Sequence, residues 1–326
     1  MKETNILILS AGRRVELVTC FAQARQRLGV PGRIIAGDCS VTAPALYFAD
    51  ERRLLPRISE PGYVDAVIGV SRECKVSLIV PTIDTDLLLL AQNRGRIERE
   101  CGAKVLVSDE RVIAACRDKR RSARFFAENS FPAPRLLDSD TLSRGDFRFP
   151  LFVKPADGSS SVNAFRVDTK EELAFFLRYV PNPMVQEFVS GQEYTVDVFC
   201  DFCGKIIAIT PRLRLATRGG ESLKGKIDKD AAVTEQTRRL IERLRPVGHI
   251  TVQCIKNADG VFFLEVNPRF GGGAPMSIAA GADSCAYLYR LLRGETLEFE
   301  DAARDGLLFT RFDRSICLDE NMEPVR

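Results

Sequence analysis

The chain has 326 residues, 45% hydrophobic and 28% charged, a balance that sustains folded cores and excludes disorder, collagen and coiled coil. At roughly 100 to 200 residues per domain the length predicts about two domains. With 47 basic against 44 acidic residues the formal net charge is +3, too even for a protein whose main partner is nucleic acid or an anionic membrane. No apolar run exceeds about five residues, where a membrane span needs about 20 and a secretory core at least about 7. A soluble, cytoplasmic protein with small-molecule partners is therefore expected. The ten cysteines lack the dense spacing of a stapled secreted scaffold and read as reduced thiols.

Ile6 to Leu9 is a short apolar run, followed by SAGRR and a helical pattern that puts Val15, Val18, Phe21 and Ala22 on one face. Apolar runs at Arg33 to Ala36, Leu78 to Val80 and Lys104 to Val107 alternate with helical stretches near Tyr63 to Cys74 and Asp86 to Cys101. This is the pattern of a doubly wound, Rossmann-like parallel sheet. Such sheets bind ligands at their strand C-termini, so Arg13, Arg14, Asp38 and the Thr82 to Asp86 loop are candidates by position, with plain turn and cap chemistry as the alternative. A nicotinamide-binding version needs G-x-G-x-x-G after the first strand, and SAGRRVE supplies only Gly12.

Near Asp109 the rhythm changes. Asp118, Lys119 and a helix to about Asn129 lead into the Phe131-Pro132-Ala133-Pro134 break. The strands LFVKP, AFRV, MVQEF, QEYTVDVF and KIIAIT then follow closely, interrupted by helices at Lys170 to Tyr179 and Ala231 to Leu244, which predicts a mixed, partly antiparallel second half.

Three segments carry chemistry. Lys154 ends a strand beside Gly158, Ser159, Ser160 and Ser161, so an ammonium and several backbone N–H groups can face phosphate oxygens; an ordinary Gly/Ser hairpin is the alternative. In QEFVSGQEYTVDVF, Glu187 closes one strand and Glu193 opens the next; the exposed backbone can meet an adenine and the second carboxylate a ribose, unless both are solvated turn residues. In FFLEVNPRFGGGAP, strand alternation points Glu265 and Asn267 the same way, with Arg269 just beyond. Two neighbouring oxygen ligands suit Mg2+, and Gln253 on the preceding strand could add a third or support them.

Gly220 to Lys226 matches part of a P-loop, but Ile227 stands where Ser or Thr should hold Mg2+. The same stretch concentrates Arg212, Arg214, Arg218, Lys224 and Lys226, a candidate anion site; Arg212 and Arg214 share a face that could equally be solvated. The only histidine, His249, reads as a satisfied buried imidazole, and Cys200 with Cys203 as strand-end thiols.

In this order, Asp118-Lys119, Lys154, the Gly/Ser loop, QEFV with Glu193, and E-x-N-P-R with its glycine tail resemble the ATP-grasp superfamily, in its carbamoyl phosphate synthase large-subunit branch, over about residues 109 to 295. The resemblance implies an N-terminal pre-ATP-grasp domain over 1–108 and an ATP-grasp domain over 109–308, followed by a tail over 309–326. The small subdomain would span about 118–190 and the larger about 191–308. It implies ATP with Mg2+ (or Mn2+), Lys119 and Lys154 on the phosphates, and Gly158 to Ser161 as a lid. Glu187, Phe188 and Val189 would lie near adenine and Glu193 near ribose, with Glu265, Asn267 and Gln253 on the metal and Arg269 on the transferring phosphoryl group. Substrate contacts are expected at Arg218, Lys224, Gly271, Gly272 and Gly273, with Arg218 also a catalytic candidate. The implied activity is a carboxylate-amine ligase forming an acyl phosphate. Alternatives are a non-catalytic ATP-binding regulator and a synthase-like subunit acting on bicarbonate. A homodimer is expected from the frequency of two-fold assemblies.

Overall fold

The computed structural model describes residues 3–158 and 162–325. Its first layer is a parallel sheet in the order β3-β2-β1-β4-β5. The chain runs β1 (Asn5–Leu9), α1 (Val15–Arg27), β2 (Ile34–Asp38), β3 (Glu51–Leu54), α2 (Tyr63–Glu73), β4 (Val76–Pro81), α3 (Asp84–Cys101) and β5 (Lys104–Val105). Ile6, Ile8, Ile34 and Ala36 face Val18 and Phe21 of α1, while Leu7, Leu9, Ile35 and Ile79 face α2 and α3. Both sheet faces are thus covered, which is why the strands read as continuous apolar runs. The helix after β1 and the helix after β4 lie on opposite faces, so the sheet has its switch point between those two strands. Thr82 ties their ends together, its hydroxyl donating to Leu9 O at 3.0 Å and Ser10 O at 2.7 Å. Three of the five residues in the expected Thr82 to Asp86 loop open α3 instead, which starts at Asp84 and carries Asp84 and Asp86 in its first turn.

Two helices follow, α4 (Glu110–Arg117) and α5 (Lys119–Glu128). The Asp118 carboxylate caps α5 by accepting from the backbone N–H of Arg120 at 2.8 Å and Arg121 at 3.3 Å. A four-stranded sheet, β6-β9-β7-β8, is built from β6 (Leu136–Leu137), α6 (Ser139–Arg144), β7 (Leu151–Pro155), β8 (Phe165–Val167), α7 (Lys170–Tyr179) and β9 (Pro183–Glu187). Leu151, Val153, Val167 and Val185 pack with Leu173 of α7.

The six-stranded sheet, β14-β13-β10-β11-β12-β15, completes the fold. Its elements are β10 (Gln192–Cys200), β11 (Ile206–Arg218), β12 (Glu221–Ile227), α8 (Ala231–Leu244), β13 (Gly248–Asn257), β14 (Gly260–Asn267), α9 (Ala274–Ala279), α10 (Ser284–Leu292) and β15 (Leu308–Thr310). Both later sheets are antiparallel throughout, so the expectation of partial antiparallel pairing is corrected. The 308/309 boundary read from the sequence falls inside β15, which pairs with β12 through Lys224 and Thr310. Gly220 to Lys226 enters an antiparallel strand rather than a strand-to-helix turn, so it has no P-loop geometry.

Alternation gives the large sheet two different faces. Tyr194, Val196, Val198, Ile250 and Val252 pack on Val233, Leu240 and Ile241 of α8. The opposite face carries Glu193, Thr195 and Asp197 on β10, Arg212 and Arg214 on β11, Thr251 and Gln253 on β13, and Glu265 and Asn267 on β14. Cross-strand register joins them: Thr195 opposes both Arg212 and Gln253, Gln253 opposes Glu265, and Thr251 opposes Asn267.

Candidate functional site

That polar face is the floor of two adjoining cavities. The smaller, about 470 Å3, is bounded by Lys154, Phe152, the Glu187 to Val189 segment, Glu193 and the apolar side chains of Ile255 and Leu264. The larger, about 770 Å3, extends from Asn267, Arg269 and Gly271 to Gly273 up to Arg14, Thr82 and Asp84 at the end of the N-terminal sheet. Lys119, Gly158, Gln253 and Glu265 line both, so the cavities meet at Glu265. Ser159, Ser160 and Ser161 lie outside the described residues.

At the junction, Glu265 Oε1 accepts from Gln253 Nε2 at 2.7 Å and from Asn267 Nδ2 at 3.0 Å. One carboxylate and two amide oxygens form a hard donor set of the kind Mg2+ takes, and which end of each amide faces inward depends on the partner present. The donors therefore fit the metal that the sequence implies. Arg214, its side chain only 5% exposed, donates to Glu193 at 2.5 Å, to Gln253 Oε1 at 3.0 Å and to Gly220 O at 2.7 Å, fixing these residues relative to one another.

Lys154 is almost fully buried at the end of β7. Burial lowers its pKa to about 8; the Glu265 carboxylate opposes that shift and the Lys119 ammonium adds to it. Lys119 donates from Nζ to Gly158 O at 2.6 Å, holding the first residue of the Gly/Ser loop. Arg269 donates to Asp84 at 2.7 Å, an ion pair between the strand-end motif and the first turn of α3.

Beneath the larger cavity lies a buried polar network. Arg212, 1% exposed, donates from Nε to Asp197 at 2.7 Å, and Asp197 also accepts from Ser277 Oγ at 2.5 Å. Burial opposes ionisation of Asp197, but the Arg212 guanidinium outweighs it and holds the carboxyl below the usual range. His249 stacks on Phe270 at 4.5 Å, shares a 2.9 Å bond between Nδ1 and Ser284 Oγ, and brings Nε2 to 3.4 Å from Asp197. The glycine tail passes close above: a Cβ on Gly273 would lie 2.8 Å from both terminal nitrogens of Arg212.

Several expectations change here. Arg212 and Arg214 form no solvated face, because the face they share is the covered floor of the site. Arg218 lines neither cavity; it is exposed near the hairpin tip and pairs with Asp313 at 2.8 Å. Lys224 lines neither cavity and is exposed on β12. Arg13 is exposed beside Asp313, and Asp38 accepts from the backbone N–H of Gly12 and Ser40, which is turn chemistry. Thr195, Thr251, Glu221 and Arg117 line the larger cavity and were missed. For the two threonines a signal existed, since each stands two residues from a singled-out glutamate or glutamine on the same strand.

Parallel sheet, two antiparallel sheets and a deep double cavity between them are the architecture of the ATP-grasp fold. Residues 6–106 match the family model for the PylC-like N-terminal domain, and residues 179–311 match that for the ATP-grasp of the biosynthetic pathway with Ter operon. The chain thus has the ATP-grasp fold, and its second half is similar in sequence to ATP-grasp proteins. Among curated relatives, the 3-methyl-D-ornithine–L-lysine ligase of Methanosarcina mazei is 22% identical over 275 residues, 84% of this chain and 69% of that protein. The carbamoyl phosphate synthase large chain of Agathobacter rectalis is 28% identical over 165 residues, 46% of this chain and 15% of that one. The biotin carboxylase domain of Hydrogenobacter thermophilus 2-oxoglutarate carboxylase, solved with MgADP, ADP and bicarbonate, superposes with a TM-score of 0.74 at 17% identity, over 94% of this chain and 74% of that one.

Proposed function

We propose that the chain is an ATP- and Mg2+-dependent ligase that activates a small carboxylate or amino acid as an acyl phosphate and passes the acyl group to an amine. The observation that carries this reading is the meeting of the two cavities at Glu265, which lets a nucleotide in one present its terminal phosphate to an acid in the other. In the smaller cavity the Glu187 to Val189 backbone, Phe152, Ile255 and Leu264 would hold adenine, and Glu193 the ribose. Lys119 and Lys154 would hold the phosphates, joined by the Gly158 to Ser161 loop. Gln253, Glu265 and Asn267 would hold Mg2+, and Mn2+ is expected to substitute as a cation of similar ligand preference. When bound, the metal neutralises charge on the phosphate oxygens.

The carboxylate oxygen of the acid attacks the γ-phosphorus, the bond to the ADP oxygen breaks, and ADP leaves. The amine then adds to the acyl carbon, phosphate departs with the C–O bonding pair, and the amine loses a proton. Positioning and fixed cations supply the catalysis, so no protein nucleophile is required. Arg269, oriented by Asp84, would stabilise charge on the transferring group.

The test is Mg2+-dependent ADP release from ATP with pooled small acids and amino acids, with hydroxylamine present to trap an acyl phosphate as a hydroxamate. A hydroxamate signal upholds the reading. Tight ATP binding with neither ADP nor hydroxamate in any pool refutes it in favour of a non-catalytic nucleotide-binding module.

A further inference from the structure

The crevice outside the carboxyl ends of β1 and β4 is the switch point of the N-terminal sheet, the place where an open parallel sheet leaves room for a ligand. Here it opens into the larger cavity. Arg14, from the turn after β1, faces Thr82, Asp84 and Thr85 at the start of α3, with Arg269 alongside. The Arg14 side chain is 19% exposed, and among the described residues its guanidinium has one acceptor, Glu221 Oε1 at 3.5 Å. A guanidinium carries five N–H donors, so most of them are left facing the cavity. Glu221 is a divided partner as well, since its other oxygen accepts from Arg311 at 3.0 Å. Among the described residues two guanidinia thus bond one carboxylate, whereas Arg269 bonds Asp84 at 2.7 Å. Burial, and next the neighbouring Arg269 charge, both work against the charged form of Arg14. A partly buried cation with unused donors is costly and is relieved by an anion.

We infer that Arg14 is a specificity-determining residue that pairs, through its two-pronged edge, with a substrate carboxylate other than the one that is phosphorylated. The inference rests on the ligase reading, which seats the reacting carboxylate at the Glu265 junction, and it adds that one substrate bears a further carboxylate lodged in the switch-point crevice. That group belongs either to the activated acid or to an amino acid serving as the amine.

Full-length Arg14→Gln and Arg14→Lys proteins are compared with wild type on a panel of dicarboxylates, amino acids and monocarboxylic acids. Each is assayed with hydroxylamine and then with amino acids as the amine. Expected for Arg14→Gln is a fall of about 10- to 100-fold in kcat/KM, carried by KM, with MgATP affinity unchanged by calorimetry. Arg14→Lys should recover part of the loss. A fall that persists with hydroxylamine places the carboxylate on the acid; a fall seen only with amino-acid amines places it on the amine. Parameters within twofold of wild type in both arms, or a fall in kcat at constant KM, would overturn the inference. If wild type activates no acid, the ligase reading fails separately, and calorimetric binding of glutamate and succinate to protein loaded with MgADP decides the question for Arg14. Binding lost in Arg14→Gln upholds its role; equal binding, or none to wild type, overturns it.

Discussion

Lys154 offers a quantitative test of the nucleotide cavity. Burial holds its pKa at about 8, against an ordinary value of 10.5. Polyphosphate placed beside it favours the ammonium, so loading the cavity at pH 8 should draw in about half a proton per site, approaching one near pH 9 and vanishing near pH 6.5. Calorimetry of MgATP binding in buffers of different ionisation enthalpy reads this uptake as the slope of heat against buffer enthalpy. Lys154→Met should abolish the slope at pH 8 and weaken nucleotide binding. The same shift makes a second prediction about stability, whose sign follows from proton counts. Between about pH 8 and 10.5 the unfolded chain binds more protons at this lysine than the folded one, so the nucleotide-free protein gains stability with rising pH, by at most about 1.4 kcal/mol per pH unit from this group. Below about pH 8 both states are protonated and the burial cost is constant. Comparing wild type with Lys154→Met isolates the contribution from tyrosines that titrate above it. Heat independent of buffer at pH 8, or an equal slope in the variant, would refute the assignment of Lys154 to the phosphates.

Three further outcomes are expected. Gly273→Ala should destabilise by about 1 to 3 kcal/mol in denaturant unfolding and depress turnover, because the Arg212 guanidinium it would meet is pinned by Asp197 and cannot swing aside. Asp197→Ala strands a buried cation and should cost about 3 to 5 kcal/mol, whereas Asp197→Leu with Arg212→Met should lose markedly less; a double variant no better than the single would show that the pair does not act as a unit. Arg218→Ala and Lys224→Ala should keep hydroxamate formation within about twofold of wild type, and a tenfold loss in either would put that side chain against the substrate after all.

What the sequence disclosed follows the range over which its signals act. Alternation along β14 put Glu265 and Asn267 on one face, and the 3.6-residue period placed α7 and α8 at their observed bounds. The course of β11 was hidden because Pro211 argues against a continuing strand, although the strand runs on to Arg218 and makes Arg212 and Arg214 inward residues. β15 is three residues long, too short for any period to register. The setting of Arg14 was beyond reach for a different reason: its partner Glu221 lies 207 residues away, and Arg311 a further 90, so three separate segments supply one cluster of charge.

The seam between the two halves has a consequence for how such a protein can be altered. Phe21 of α1 meets Phe270 and Tyr289 edge-on at 5.8 and 6.2 Å, and the apolar side of the first sheet continues without interruption into Cys285, Leu288 and their neighbours on α10. The first hundred residues are therefore not a detachable cassette. A graft that replaced them to change which acid is accepted would inherit an unmatched hydrophobic wall, unless the incoming helix reproduced the contour of α1. Specificity can be rewritten far more simply from within, at the few polar positions where the crevice opens, while the joint itself is left alone.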